Sequence, residues 1–354
     1  MPTRFIAQIA FRLLSAAILL LPASVTHAQD YKFSHLGVKD GLSQAVINCI
    51  LQDSRGFMWF GTQEGLNQYD GYTFHVFKRD PEDTNSLSNN FIYSIAEDKQ
   101  GILWIGTNGG GLNSFDPATL KFTRYLSDPK DSTTISNDVV RTLFVDKKGT
   151  LWVGTDAGLN QFDAKNKKFR RFLTNPDDPY SIAGARVTCI IEDRDEDLWI
   201  GTYGTGISHL DMKSRRFYNY QMSESDIDRF YPHNVFKDPQ RRKRVNQVRS
   251  ILFNTPEMLW VGTDGGGIEV FNVVNHSYES ILYPGSSLSD ISSNVITSMQ
   301  RGPNNDIWIG VFEAGLDILK MGDHSIEHYG PTNDPYSLNS KVIKRMFRDK
   351  QGNM

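Results

Sequence analysis

The stretch DKKGTLWVGTDAGL, residues 146–159, decides the fold, because the chain repeats its pattern around every tryptophan. The shared pattern is D-x-x-G-x-x-W-[IVF]-G-T, then a short glycine-bearing gap, then G-[LI]. The six tryptophans are Trp59, Trp104, Trp152, Trp199, Trp260 and Trp308. A glycine lies two residues after the tryptophan in all six copies. Such regular internal repetition indicates one structural unit used several times.

Each period contains four strand-length segments separated by turn residues. In the third copy, residues 139–145 are mostly β-branched or apolar and precede the Asp146 turn, and residues 159–163 form a further short strand. An aromatic i, i+3 pair follows, as in Phe169/Phe172. Because four strands in about 45 residues are typical of a propeller blade, the sequence predicts an all-β fold, a β-propeller of four-stranded blades.

A seventh repeat begins near the end of the sequence. Residues 342–348 resemble a first strand, and the six-residue spacing from Asp349 places the next tryptophan just past Met354. Residues 31–36 resemble an outer strand without a preceding W-G-T. We therefore expect six complete blades plus part of a seventh, in a seven-bladed domain over residues 29–354 that is truncated within blade seven.

The repeated motif resembles the two-component regulator propeller repeat, and the resemblance covers residues 30–354. It implies the periplasmic sensor region of a hybrid two-component sensor kinase or a propeller-bearing diguanylate cyclase, with any kinase or cyclase module downstream of Met354. It further implies an oligosaccharide or similar small-molecule ligand, and is compatible with a homodimer of the full-length protein. The alternatives are a secreted lyase or hydrolase acting on polysaccharide, and a protein-interaction scaffold.

Residues 1–28 are typical of a signal peptide. Arg4 and Arg12 precede a short apolar run, residues 13–21, and Thr26-His27-Ala28 resembles a cleavage site. The run is about half the ~20 residues of a spanning helix, so we expect an exported, periplasmic domain whose membrane anchor lies downstream. A net charge of −3 and a pI near 6.2 argue against a nucleic-acid partner.

The cysteines, Cys49 and Cys189, occupy the same repeat position in blades one and four. These blades lie on nearly opposite sides of a ring, so a disulfide between them exceeds the ~7 Å limit on the Cα separation. No cofactor, metal or catalytic residues are expected. The Gly-rich gaps precede strands rather than helices, Asp193-x-Asp195-x-Asp197 lacks the central glycine of a calcium loop, and the histidines recur at no repeat position.

The binding hypothesis concerns one face of the ring, where the connections between blades and the glycine-rich gaps meet. Aromatic rings stack on sugars, and cationic side chains bind carboxylates or sulfates. The candidate ligand-binding residues at this mouth are Tyr93, Arg141, Arg186, Tyr203, Arg249, Phe312 and Lys344.

The 61-residue spacing between Trp199 and Trp260 exceeds the next largest by 13 residues. The extra residues lie within positions 221–247, and we weigh a solvated loop against a ligand or partner loop. Its candidate contact residues are Tyr231, Lys237, Arg241, Arg242, Lys243 and Arg244.

Overall fold

The computed structural model describes residues 31–231, 242–282 and 291–354. The chain divides into two units, Met1–Phe33 and Ser34–Met354, and the strands of the described residues lie in the second. The predicted signal peptide lies outside the described residues.

In the described residues, twenty-four strands form six antiparallel sheets of four, and in each sheet the strands follow chain order. Blade one contains β1 (Ile47–Gln52), β2 (Met58–Thr62), β3 (Leu66–Tyr69) and β4 (Phe74–Phe77). Blade two contains β5 (Ile92–Glu97), β6 (Leu103–Thr107), β7 (Leu112–Asp116) and β8 (Lys121–Tyr125). Blade three contains β9 (Val140–Val145), β10 (Leu151–Thr155), β11 (Gly158–Asp163) and β12 (Lys168–Phe172).

The second half of the chain repeats this architecture. Blade four contains β13 (Val187–Glu192), β14 (Leu198–Thr202), β15 (Ile207–Asp211) and β16 (Arg216–Tyr220). Blade five contains β17 (Val248–Thr255), β18 (Met258–Thr263), β19 (Ile268–Asn272) and β20 (Ser277–Leu282). Blade six contains β21 (Ile296–Arg301), β22 (Ile307–Val311), β23 (Gly315–Leu319) and β24 (Ile326–Tyr329). The all-β propeller of four-stranded blades is therefore confirmed for six blades.

Helical structure is sparse in the described residues. The α-helix α1 spans Glu224–Phe230, and short 3-10 turns lie at Val38–Asp40, Lys243–Asn246 and Pro303–Asn305. Over the part of the chain that the structure describes, no helix is both long and apolar enough to cross a membrane.

The repeated aspartate closes the first hairpin of a blade and also holds the tryptophan. In blade three, Asp146 Oδ1 accepts the Thr150 N–H at 2.8 Å, and Asp146 Oδ2 accepts the Trp152 indole N–H at 2.9 Å. The corresponding indole bonds of blades one, two and four measure 2.8–3.0 Å. Because a buried indole N–H needs an acceptor, this bond explains why the aspartate lies six residues before the tryptophan in these four blades.

The invariant glycine of the motif allows neighbouring blades to approach. A Cβ on Gly154 would lie 2.6 Å from Thr142 Cγ2 in β9 and 2.6 Å from Val187 Cγ1 in β13 of the next blade. The backbone of Gly154 does not have a positive φ. Space between blades, rather than backbone freedom, therefore requires glycine here.

Buried side chains fill the interfaces between consecutive blades. The Trp104 ring of blade two lies 4.8 Å, centroid to centroid, from Phe162 of blade three, and Trp199 of blade four lies 5.7 Å from Phe271 of blade five. Trp152 is completely buried. These aromatic contacts and the apolar clusters around them are the main hydrophobic stabilisation of the ring.

A partial seventh blade is not shown. Residues 31–36 and 342–348, for which the sequence predicts an outer and an inner strand, form no strand. Residues 341–351 run along blades six and one: the Lys341 carbonyl accepts the Gly315 N–H at 2.9 Å, and Arg345 Nε donates to the Asn48 carbonyl at 3.1 Å. Without a partner strand beside it, this segment has no ladder of hydrogen bonds to define a strand.

Both cysteines are free, as the repeat positions predict. Cys49 lies in β1 and Cys189 in β13. Burial raises the pKa of Cys49 to about 12 and that of Cys189 to about 11. These values keep both thiols protonated near neutral pH.

Candidate functional site

The inner strands of the ring surround a pocket with a volume of about 370 Å³. All seven candidate ligand-binding residues predicted from the sequence line it. The complete lining is Asn48, Tyr93, Arg141, Arg186, Thr188, Tyr203, Arg249, Thr297, Phe312, Val342, Lys344 and Arg345. The structure therefore brings the predicted residues together at the centre of the ring.

One repeat position supplies much of this lining. The residue immediately before the Cys49 position of each repeat faces the pocket, in six strands and in the extended segment near the end of the chain. These residues are Asn48, Tyr93, Arg141, Thr188, Arg249, Thr297 and Lys344. Alternation of side chains along a strand directs this position inward and its neighbours elsewhere.

Arginine and tyrosine side chains alternate across blades two to four. Arg141 lies over the Tyr93 ring at 4.9 Å, and Arg186 lies over the Tyr203 ring at 5.0 Å. Asp156 joins the two pairs, because its carboxylate accepts from Arg141 Nη2 at 2.9 Å and pairs with Arg186 Nε at 3.1 Å. This network fixes the guanidinium groups at the pocket wall.

The electrostatics of Asp156 follow from these contacts. Burial alone would raise its pKa, but hydrogen bonds and charge from Arg141 and Arg186 outweigh burial and lower it. The hydrogen bonds that Arg141 donates to Asp156 likewise raise the pKa of Arg141. The ion pairs therefore persist throughout the neutral pH range.

A second carboxylate pairs with the cation from blade five. Asp264 Oδ1 lies 2.7 Å from Arg249 Nη2 and 2.8 Å from Arg249 Nε. Sequence reasoning missed both Asp156 and Asp264. Their position in the repeat could have revealed them, because both lie four residues after the motif tryptophan. Tyr203 and Phe312, which the sequence did predict, occupy the same position in blades four and six.

Two aromatic side chains at that position remain open to solvent. The exposed fraction is 39% for Tyr203 and 42% for Phe312. Both side chains also line the pocket. They provide apolar faces beside the arginines.

The long connection between blades four and five folds onto the ring. Its helix α1 begins at a capping box in which Ser223 and Asp226 bond each other's backbone N–H, at 3.0 and 3.1 Å. Ile227 and Tyr231 are buried in the core shared by blades four and five. The connection is thus anchored by apolar side chains, unlike a wholly solvated loop.

The candidate contact residues of this connection have different environments. Tyr231 is buried, and its hydroxyl donates to the Gly266 carbonyl at 2.7 Å. Arg242 forms ion pairs with Glu224 and Asp228, both at 2.7 Å. Lys243 and Arg244 are exposed. Lys237 and Arg241 lie outside the described residues. The role of all these candidate residues as ligand or partner contacts stays a prediction.

The exit of this connection lies beside the pocket. The Asn246 carbonyl accepts the N–H groups of Gly204 and Gly206, both at 3.0 Å. These glycines flank the gap after Tyr203, and Arg244 packs against Gly265, next to Asp264. A ligand in the pocket mouth would therefore meet this connection.

Glu269 in β19 is an unusual buried acid below the same connection. Its side chain is 1% exposed, and Oε1 has no hydrogen-bond partner in the described structure. Burial raises its pKa well above the usual range. Asparagine occupies the position equivalent to Glu269 in blades one to three, as Asn67, Asn113 and Asn160. In each of these blades the amide oxygen accepts the backbone N–H of a serine at 2.9–3.1 Å.

Glu269→Gln is expected to remove a pH dependence of stability. The folded-state pKa is raised, so above the unfolded pKa of about 4.3 the folded state retains a proton that the unfolded state has lost. Stability of the wild type should fall as pH rises through this range, by at most about 1.4 kcal/mol per pH unit. Urea unfolding between pH 5 and pH 8, compared for both proteins, measures the difference, and a pH-independent difference would contradict this account of Glu269.

A further cluster lies at the opposite end of blade four. Ligand atoms of Asp193, Asp197 and His209 lie within 4.8 Å of one another. Asp193 accepts the Trp199 indole N–H at 3.0 Å, and Asp197 Oδ2 lies 3.3 Å from His209 Nε2. These contacts explain the cluster as part of the blade framework.

Comparison with known families identifies the repeat. The family model for the two component regulator propeller matches residues 41–64, 86–109, 134–157 and 181–204. The chain carries two component regulator propeller repeats. Each matched segment of this repeat runs from the connection before a blade to the gap after W-G-T, and so includes the inner-strand position that lines the pocket.

Proteins that are similar to this chain include longer ones. The chain superposes on the extracellular domain of BT3049 from B. thetaiotaomicron, assigned to a hybrid two component system, with a TM-score of 0.74 and 25% identity. The match covers 91% of this chain and 40% of that one. Histidine kinase P4 of Formosa agariphila is 42% identical over 59 residues, which is 17% of this chain and 4% of the kinase.

A more distant structure shares the fold alone. Virginiamycin B lyase from Staphylococcus aureus superposes with a TM-score of 0.57 and 12% identity over 82% of this chain and 85% of the lyase. The present chain thus spans less than half of the longer relatives, and the likeness to the lyase concerns the propeller architecture only.

Proposed function

We propose that this chain is an extracytoplasmic sensory propeller whose central pocket binds an acidic oligosaccharide. The observation that carries the proposal is the lining of the pocket, because the described residues that line it combine five cationic side chains with exposed aromatic rings and include no carboxylate. The cations are Arg141, Arg186, Arg249, Lys344 and Arg345. The likeness to the extracellular domain of BT3049 supports the sensory role and the exported location.

The charge balance of the pocket favours an anion. Asp156 and Asp264, which lie behind the lining, pair with three of the five cations. Five positive charges and two negative charges leave a net charge of +3 around the pocket. A concave site with one sign of charge attracts and concentrates ligands of the opposite sign.

The aromatic rings favour a ligand with flat apolar faces beside its charges. Tyr203 and Phe312 are both substantially exposed at the mouth, and sugar rings stack on such side chains through their C–H faces. Arginine guanidinium groups bind carboxylates and sulfates in a bidentate manner. An oligosaccharide with uronate or sulfate groups satisfies both requirements.

We further infer that residues 341–354 are the inner strand and first turn of a seventh blade. The first support is the register of hydrogen bonds between repeats. Glycine N–H groups in the gaps of blades one, two, four and five donate to the next repeat at 2.8–3.0 Å, at Asn90, Asp138, Asn246 and Asn294. Gly315 of blade six donates to Lys341 in the same register.

The second support comes from the other side of this segment. Lys147 of blade three donates to the Asp193 carbonyl of blade four at 2.7 Å. Lys350, at the corresponding position, donates to the Asp53 carbonyl of blade one at 2.7 Å. Residues 341–351 therefore contact blade one in the same way that the inner strand of one blade contacts the following blade.

The third support is the partly uncovered flank of blade one. Met58 and Phe60 in β2 are half-buried, whereas the residues at these positions are buried in the other five blades. The buried equivalents are Leu103, Ile105, Leu151, Val153, Leu198, Ile200, Leu259, Val261, Ile307 and Ile309. The remaining strands of a seventh blade would cover this flank.

Calorimetric titration with three hexasaccharides tests the proposed function: hexagalacturonate, a heparin-derived hexasaccharide and neutral maltohexaose. We expect binding of at least one acidic hexasaccharide and none of maltohexaose, because only the acidic ligands offer negatively charged partners to the cations. Preference for the neutral sugar, or no binding of either acidic one, would contradict the proposal. Chromatography after each titration detects cleavage, and a shortened oligosaccharide would favour the enzyme alternative.

A further inference from the structure

Two arginines of the pocket share one carboxylate. Arg141 donates to Asp156 twice, from Nε to Oδ1 and from Nη2 to Oδ2 at 2.9 Å. Arg186 Nε lies 3.1 Å from the same Oδ1 atom. Both arginines line the pocket, whereas Asp156 is not among the described residues that line it. The carboxylate thus contacts the two cations from outside the lining.

The charge of this cluster is not balanced. Two positive guanidinium groups and one negative carboxylate give a formal charge of +1. The other carboxylate beside the pocket, Asp264, forms an ion pair with Arg249 alone among the described residues, and that pair is neutral. A single carboxylate or sulfate ester of a ligand carries one negative charge at neutral pH and would balance the cluster around Asp156.

Hydrogen-bond donors remain for such a group. Each guanidinium group has five N–H donors, and Asp156 contacts two donors of Arg141 and one of Arg186. Within the part of the chain that the structure describes, neither Nη group of Arg186 has a hydrogen-bond or ion-pair partner. The Arg186 side chain is also 43% exposed. Its free donors are therefore accessible to an oxyanion.

We propose that Arg141 and Arg186 together bind one carboxylate or sulfate group of the ligand, and that Asp156 is the positioning residue that holds both arginines for it. The inference rests on the proposed function, because both arginines line the same pocket. Ordering a long side chain during binding costs free energy. Asp156 and the rings of Tyr93 and Tyr203, at 4.9 and 5.0 Å from the guanidinium carbons, order the arginines before the ligand arrives.

Positioning and charge predict opposite effects of losing this carboxylate. The negative charge of Asp156 repels an anionic ligand, so charge alone predicts tighter binding by Asp156→Asn. Asparagine has the same size, but its amide donor cannot accept from an arginine. Because the cost of ordering two arginine side chains then returns to the binding step, we expect affinity for an acidic hexasaccharide to fall about tenfold.

Calorimetric titration of the full chain with hexagalacturonate and with the heparin-derived hexasaccharide measures this effect. The matched control is Asp195→Asn, which makes the same change in net charge at a carboxyl group that is 78% exposed, in the turn between β13 and β14. The control should change affinity by no more than about twofold, because salt screens distant charges. In the background Arg141→Ala/Arg186→Ala, Asp156→Asn should no longer weaken binding, since coupled residues are not additive.

Unchanged or tighter binding by Asp156→Asn would overturn the inference and leave the proposed function intact. An equal loss in the double-alanine background would also overturn it, because Asp156 would then act without the two arginines. If that background binds too weakly for titration, Arg186→Ala replaces it and should reduce the loss. Failure of the wild type to bind either acidic hexasaccharide would overturn both proposals.

A second variant tests the arginine pair without altering Asp156. Arg186→Lys keeps the positive charge but lacks the planar fork that binds an oxyanion through two N–H groups. We expect it to weaken binding about tenfold, the loss of one hydrogen bond to a charged group. Should Asp156→Asn fail to give a cooperative urea transition, this variant decides the question, and full affinity of Arg186→Lys would contradict the shared subsite.

Discussion

Gly154→Val is expected to destabilise the propeller by about 3 kcal/mol, at the upper end of the cost of overpacking a core. The new side chain would begin 2.6 Å from carbon atoms on two sides, Thr142 Cγ2 and Val187 Cγ1. These atoms belong to different strands of adjacent blades, so relief on one side increases the clash on the other. Close-packed interiors have little free volume to absorb this change.

Urea unfolding followed by tryptophan fluorescence measures this effect. Gly322→Val is the matched control, because Gly322 is exposed and a Cβ there would meet no atom within 4 Å. The control should change the free energy of unfolding by no more than about 0.5 kcal/mol. An unchanged midpoint for Gly154→Val would mean that the close approach of the blades does not require the motif glycine.

The fold follows from the sequence because each period repeats the residues that make the same structural contacts. The tryptophan, the glycine two residues after it and the turn aspartate each recur at fixed spacing, and the structure assigns each a distinct contact. The pocket lining follows from the same periodicity. Arg141, Arg249 and Lys344 occupy one position of the repeat, so locating one inward-facing side chain locates the others.

The acidic partners of the pocket were harder to predict. Asp156 and Asp264 follow W-G-T, where a polar residue is also expected for a solvated turn. The structure shows that Asp156 and Asp264 pair with Arg141 and Arg249 of their own blades, and that Asp156 also pairs with Arg186 at the start of blade four. The turn position alone does not reveal that these arginines lie within reach.

The connection between blades four and five was unpredictable for a different reason. It interrupts the period, so no other repeat provides an equivalent for Ile227 or Tyr231. Both become buried only because α1 folds against the core of blades four and five. Its charged residues suggested a binding loop, but composition alone does not distinguish Arg242, which is paired, from Arg244, which is exposed.

The central claim is that the cations of the inner pocket recognise an acidic ligand. The variant Arg141→Ala/Arg249→Ala/Lys344→Ala removes three of the five cations of the lining. Hydrogen bonds to charged groups contribute about 1.5–3 kcal/mol each, so affinity for an acidic hexasaccharide should fall at least about 100-fold. Neutralisation of distant charges should have a much smaller effect, because salt screens them beyond about 10 Å.

The control variant is Lys121→Ala/Lys168→Ala/Lys213→Ala, which makes the same change in net charge at exposed positions on the outer side of blades two to four. Calorimetric titration of the wild type and both variants with the tightest-binding acidic hexasaccharide is the most direct test. The account predicts at least a 100-fold loss for the pocket variant and a loss of no more than about threefold for the control. Equal affinities for all three proteins, with both variants folded, would contradict it.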